Sequence, residues 1–80
     1  MKLSLKSARI NAGYSQEEAA YLLRISQATI SAWERNMWLP NILKALELAD
    51  LYGVDVKDIK FDAKADKRRI YEEYEEVANG

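Results

Sequence analysis

The chain has no cysteine and no histidine among its 80 residues. Without cysteine, no disulfide can staple it, although chains this short often rely on staples. A reducing compartment is therefore its expected home. Without Cys or His, neither a zinc site nor an imidazole base can be built. No apolar run approaches the ~18–20 residues that span a bilayer, so no membrane association is expected. The opening MKLSLKSARI alternates apolar and polar residues, unlike the continuous apolar stretch of a secretory leader. A cytoplasmic protein is the expectation. A strong excess of one charge is also missing: the formal net charge is -1 and the pI about 5.4. Bulk attraction to a polyanion is thereby excluded. Any nucleic-acid affinity must come from placed contacts, with a shallow salt dependence.

Hydrophobic residues make up 49% of the chain, enough for one small core and too many for compositional disorder. The pattern is helical throughout, and no hairpin signal appears. Ser4 caps a first helix with Leu5, Ala8 and Ala12 inward, and Gly13 ends it. Ser15, with Glu18 three residues later, makes a capping box for a second helix over about 16–23. Ala19, Ala20 and Leu23 share its inner face. Ser26 opens a third helix over 27–35 with Ile30 and Trp33 inward, and Asn36 follows in a position suited to left-handed backbone. Met37-Trp38-Leu39 is a loop closed by Pro40. Asn41 caps a fourth helix, striped by Ile42, Ala45, Leu46, Ala49 and Tyr52 and stopped by Gly53. Asp55 caps a fifth, single-turn helix that buries Val56 and Ile59.

The junction between helices two and three is so short that the two must cross steeply and pack together. The outer face of the third helix then reads Gln27, Ala28, Ser31, Ala32 and Arg35. A solvated face normally carries Glu and Lys. This one is small and hydrogen-bonding, which suits entry into a DNA groove. Residues 1–60 hold eight Lys/Arg against seven Asp/Glu, and residues 61–80 hold four against six. A domain over 1–60 and a charged C-terminal helix over 61–80 are expected. In the second segment Ile70, Tyr71, Tyr74 and Val77 form a narrow stripe suited to dimerisation or contact with a partner. Glu72, Glu73, Glu75 and Glu76 read as its solvated side. Ser15 and Ser26 are caps with no base beside them, so no catalytic residue, metal ligand or cofactor loop is expected, and no enzyme.

The run LKSARINAGYSQEEAAYLLRISQATISAWERN, then Pro40, then ILKALELADLYGVDVKDI, closely resembles the phage repressor and Cro type of helix-turn-helix domain. That group is also called the xenobiotic response element family. The likeness runs from about Leu3 to Ile59 and rests on Arg9, the SQEE start, Ala20, the IS junction, TIS at 29–31, the WER triplet and the GV pair at 53–54. It implies an all-α, five-helix, lambda-repressor-like domain whose third helix enters the major groove of double-stranded DNA. It further implies base contacts from Gln27, Ala28, Ser31 and Ala32, with Gln27 placed to bond adenine N6 and N7 together. Gln16, Ser26, Arg35, Asn41 and Lys44 are implied as phosphate contacts, which position without reading sequence. Arg9 and Glu34 are implied to form a largely buried ion pair between helices one and three.

Three features depart from the family pattern. Arg24 stands where a Gly is usual, at a turn that strains other residues if its backbone is left-handed. Gln27 is the one long base-reading side chain on the third helix, so modest specificity or readout of DNA shape follows. Met37 and Trp38 occupy a loop that is usually basic and polar. Burial of Trp38 over the core is the expected outcome, and exposure at an interface the alternative. The implied function is a sequence-specific transcription regulator, a repressor, binding a two-fold operator as a homodimer. The alternative is an antitoxin or adaptor in which the C-terminal helix and Trp38 grip a protein partner.

Overall fold

A computed structural model describes residues 2–61. Four α-helices follow one another: α1 (Leu5–Ala12), α2 (Gln16–Leu23), α3 (Gln27–Glu34) and α4 (Ile42–Tyr52). The fifth helix expected after Asp55 is a single 3-10 turn over Val56–Asp58. Asp55 caps it as read from the sequence, its side chain accepting from the Lys57 N–H at 2.9 Å. Three residues are too few to close a full α-turn before Ile59 returns to extended backbone. The C-terminal helix, with its Ile70, Tyr71, Tyr74 and Val77 stripe, lies outside the described residues.

Each helix starts on a polar side chain that satisfies an otherwise orphaned N–H. Ser4 accepts from Ser7 N, Ser26 from Thr29 N and Asn41 from Lys44 N. At α2 the capping box closes in both directions, Glu18 N to Ser15 Oγ at 3.0 Å and Ser15 N to Glu18 Oε1 at 2.9 Å. These bonds favour the ionised carboxyl and hold Glu18 below the usual carboxylate range, the backbone N–H of Ser15 contributing most.

The helices end on left-handed residues. Gly13 (φ 87°) and Gly53 (φ 71°) do so without steric penalty. Asn36 (φ 59°) tolerates the conformation through its short polar side chain. Arg24 adopts it too, at φ 59° and ψ 43°, so the strain expected from its departure from Gly is present. Its side chain is exposed, and burial does not offset the penalty.

The core gathers Leu5 and Ala8 of α1, Ala19, Ala20 and Leu23 of α2, Ile30 and Trp33 of α3, and Ala45, Leu48, Ala49 and Tyr52 of α4. Val56 and Ile59 of the final turn close it as expected. Leu48, absent from the stripe read in α4, is more deeply buried than Ile42 and Leu46, which only pack against the margin. Phe61, beyond the boundary drawn at residue 60, is 1% exposed and belongs to the same core. An isolated parallel bridge pairs Leu3 with Ile59, through Leu3 N to Asp58 O and Lys60 N to Leu3 O, both 2.7 Å. It fastens the two ends of the described chain side by side. Trp38 departs from expectation: it is 52% exposed, with Met37 and Leu43 also open to solvent. Leu39 and Pro40, which follow Trp38, are the residues of this loop that are buried. No helix among the described residues is long and apolar enough to cross a membrane.

Candidate nucleic-acid interface

The buried side of α3 is set by Ile30 and Trp33, three residues apart. Gln27 and Ala28 are exposed on its outward side, with Ser31 half-buried beside them and Arg35 exposed at the end. Ala32 is a correction to the expected base contacts: it is 3% exposed and reaches no groove. Helical spacing carries it roughly a quarter turn from the centre of the outward face. There the chain folds back after Arg35, Met37 N donating to Ala32 O at 2.9 Å. A methyl too short to project past that turn is covered by it.

Beneath this face lies the ion pair. Arg9, 8% exposed, donates through Nε to Glu34 Oε2 at 2.6 Å and through its second terminal nitrogen to Glu34 Oε1 at 3.2 Å. Its remaining terminal nitrogen donates to Tyr14 O at 2.8 Å. A planar fork on a carboxylate is the strong form of such a bond. The hydrogen bond to Glu34 raises the Arg9 pKa further, against the opposing effect of burial. Nearby Tyr52 is pushed up to about 12, first by burial and then by the Glu34 charge.

The pair is continued outward by two amides. Gln16 Nε2 donates to Glu34 Oε1 at 3.1 Å, and Gln27 Nε2 donates to Gln16 Oε1 at 3.4 Å. Gln16 is thus held from below by a carboxylate, which fixes its oxygen towards Gln27. The order Arg9, Glu34, Gln16, Gln27 joins α1, α2 and α3 and ends at the first exposed side chain of α3. Sequence reasoning named all four residues. Their connection into one chain of hydrogen bonds is new, because spacing in sequence says nothing of side-chain contact across three helices.

The other expected contacts sit around this point with differing freedom. Ser26 is exposed, its Oγ capping Thr29 N at 3.1 Å and sharing a hydrogen bond with Thr29 Oγ1 at 2.9 Å. Asn41 uses Oδ1 as a cap at 2.9 Å, which leaves its amide hydrogens for another acceptor. Lys44 Nζ reaches Leu23 O at 3.4 Å and Glu47 Oε2 at 3.3 Å. It therefore also covers a free carbonyl at the end of α2, a role its spacing did not reveal. Helix electrostatics distinguish the N-termini. The first turn of α2 carries Glu17 and Glu18, whereas α3 and α4 begin without acid. The positive ends of α3 and α4 are thus unopposed by acid in their first turns.

Comparison with known proteins identifies the family of this helical domain. The helix-turn-helix family matches residues 5–59. Among curated relatives, the uncharacterized HTH-type transcriptional regulator YgzD of Bacillus subtilis (strain 168) is 29% identical over 59 residues, 74% of this chain and 89% of that protein. The HTH-type transcriptional regulator ImmR of the same organism is 44% identical over 50 residues, 62% of this chain but 39% of ImmR. The uncharacterized HTH-type transcriptional regulator MJ0272 of Methanocaldococcus jannaschii is 36% identical over 59 residues, 74% of this chain and 89% of that protein. No solved structure matches. From the matched span and the paired helices α2 and α3, this chain belongs to the helix-turn-helix family of DNA-binding transcriptional regulators, of the Cro/C1 type.

Proposed function

We propose that this regulator reads a specific operator through the outward face of α3 and represses transcription by occupying it. The observation that carries the reading is Gln27: an exposed amide at the start of α3, held by Gln16 and flanked by Ala28 and Ser31. An amide bonds adenine N6 and N7 at once, and small neighbours let the helix approach the bases closely. Ala28 and Ser31 lie beside the edge that Gln27 reads. Gln16, Ser26, Arg35, Asn41 and Lys44 contact phosphates and fix the orientation. Acid in the first turn of α2 weakens the contact from Gln16, whereas the acid-free starts of α3 and α4 favour phosphate beside Ser26 and Asn41.

One such module buries too little surface for tight binding, so the working form is a homodimer in the cytoplasm. Its two α3 helices then lie about one DNA turn apart, roughly 34–36 Å. The protein is a binding protein and not an enzyme. The antitoxin or adaptor alternative is not favoured, since the relatives found are transcriptional regulators. Selection of bound duplexes from a random pool tests the proposal. A two-fold motif with adenine at one fixed place per half-site is expected. Recovery of no motif would refute sequence-specific reading.

A further inference from the structure

On the side of α2 opposite Ala19, Ala20 and Leu23 lies an open groove of about 350 Å³, lined by Tyr14, Glu17, Glu18, Tyr21 and Leu22. Tyr21 is 82% exposed and Leu22 51%. Tyr14 forms a fixed wall: its ring lies 6.4 Å from that of buried Tyr52, and its carbonyl accepts from Arg9. Glu18 spends one oxygen on the capping box, and Glu17 is exposed. Among the described residues no basic side chain lines the groove. A wall of two tyrosines and a leucine beside two carboxylates calls for an occupant both apolar and cationic.

The chain carries such a segment. Between Lys64 and Arg69 stand four basic residues against one acid, and Ile70 and Tyr71 follow directly. From Phe61, fixed in the core, to Ile70 the chain can extend about 30 Å, and the longest dimension of the fold is 32 Å. That span exceeds the two shorter dimensions of the fold, 25 and 24 Å. A tethered segment acts at an effective concentration of the order of millimolar. We infer that the chain's own segment Lys67–Tyr71 docks in the α2 groove, its basic residues towards Glu17 and Glu18 and Ile70 and Tyr71 against Tyr21 and Leu22. None of the described residues lining the groove belongs to α3.

The absence of native cysteine makes the test direct. Leu22→Cys and Tyr71→Cys are introduced together in the full chain, with Ile10→Cys and Tyr71→Cys as the control pair on another exposed surface. A disulfide requires the two Cα atoms within about 7 Å. On mild oxidation, a monomeric cross-linked product is expected at least about tenfold faster for the 22–71 pair. Raising salt to about 1 M, or adding Glu17→Arg, is expected to slow it several-fold. Equal rates for the two pairs would overturn the inference. A disulfide-linked dimer would overturn it in favour of a second copy as occupant. Indifference to both salt and Glu17→Arg would remove the charge matching that selects this segment.

Discussion

Replacing Arg9 by Ala removes the guanidinium that neutralises Glu34 while leaving the carboxylate in place. The Glu34 side chain is 5% exposed, so it cannot recover its hydration without moving. Breaking one side of a buried ion pair costs about 3–5 kcal/mol, mainly through the charge left behind. The Tyr14 carbonyl also loses its donor, adding about 1 kcal/mol. Gln16 still donates to Glu34, which places the total nearer the lower bound, at about 4 kcal/mol. A domain of some sixty ordered residues has about 3–9 kcal/mol of stability in all. Arg9→Ala therefore consumes from nearly half to all of it, and lowers the melting temperature by roughly 16–32 °C at about 4–8 °C per kcal/mol. The assay is thermal and urea unfolding followed by circular dichroism at pH 7. The double variant Arg9→Met, Glu34→Leu separates loss of the pair from a stranded charge, and should recover most of the loss. An Arg9→Ala melting temperature within a few degrees of wild type would show that the pair does not hold α1 to α3.

Other perturbations give smaller, signed effects. Arg24→Gly relieves left-handed strain and is expected to stabilise by about 1 kcal/mol, measured as a higher urea midpoint at unchanged slope. Because the Tyr52 pKa is raised by folding, its contribution is complete below about pH 10, the unfolded value, and is lost as pH rises towards about 12. Stability should decline across that window in wild type and decline less in Tyr52→Phe. Trp38 is open and Trp33 buried, so acrylamide quenches the emission of Trp33→Phe efficiently and that of Trp38→Phe poorly. Equal quenching of the two variants would show that the loop folds over its indole.

Much of this fold is legible in the sequence because its helix ends are written in local chemistry. Ser4, Ser15, Ser26, Asn41 and Asp55 act within three residues of themselves, and Gly13, Asn36 and Gly53 stop helices by backbone preference alone. Where the deciding contact is tertiary, periodicity loses its hold. Leu46 and Leu48 flank the Ala45, Ala49 and Tyr52 stripe on opposite sides, and only packing decides which flank is buried. Ala32 is buried by a turn whose direction the helix pattern does not contain. Trp38 is open while its neighbours Leu39 and Pro40, which read merely as loop, are buried. The ion pair was legible through family likeness, while its extension through Gln16 to Gln27 needed the crossing of α2 over α3.

The claim that matters most is that Gln27 reads a base. Its direct measurement is a double cycle of binding free energies: wild type and Gln27→Ala, each against the selected operator and against that operator with the assigned adenine replaced. A bidentate amide–adenine contact contributes about 1–3 kcal/mol of discrimination. Wild type is expected to lose this much on the altered site, and Gln27→Ala almost nothing further. Equal losses for both proteins would mean that some other group reads that base pair, and that α3 is not presented to DNA in the way described.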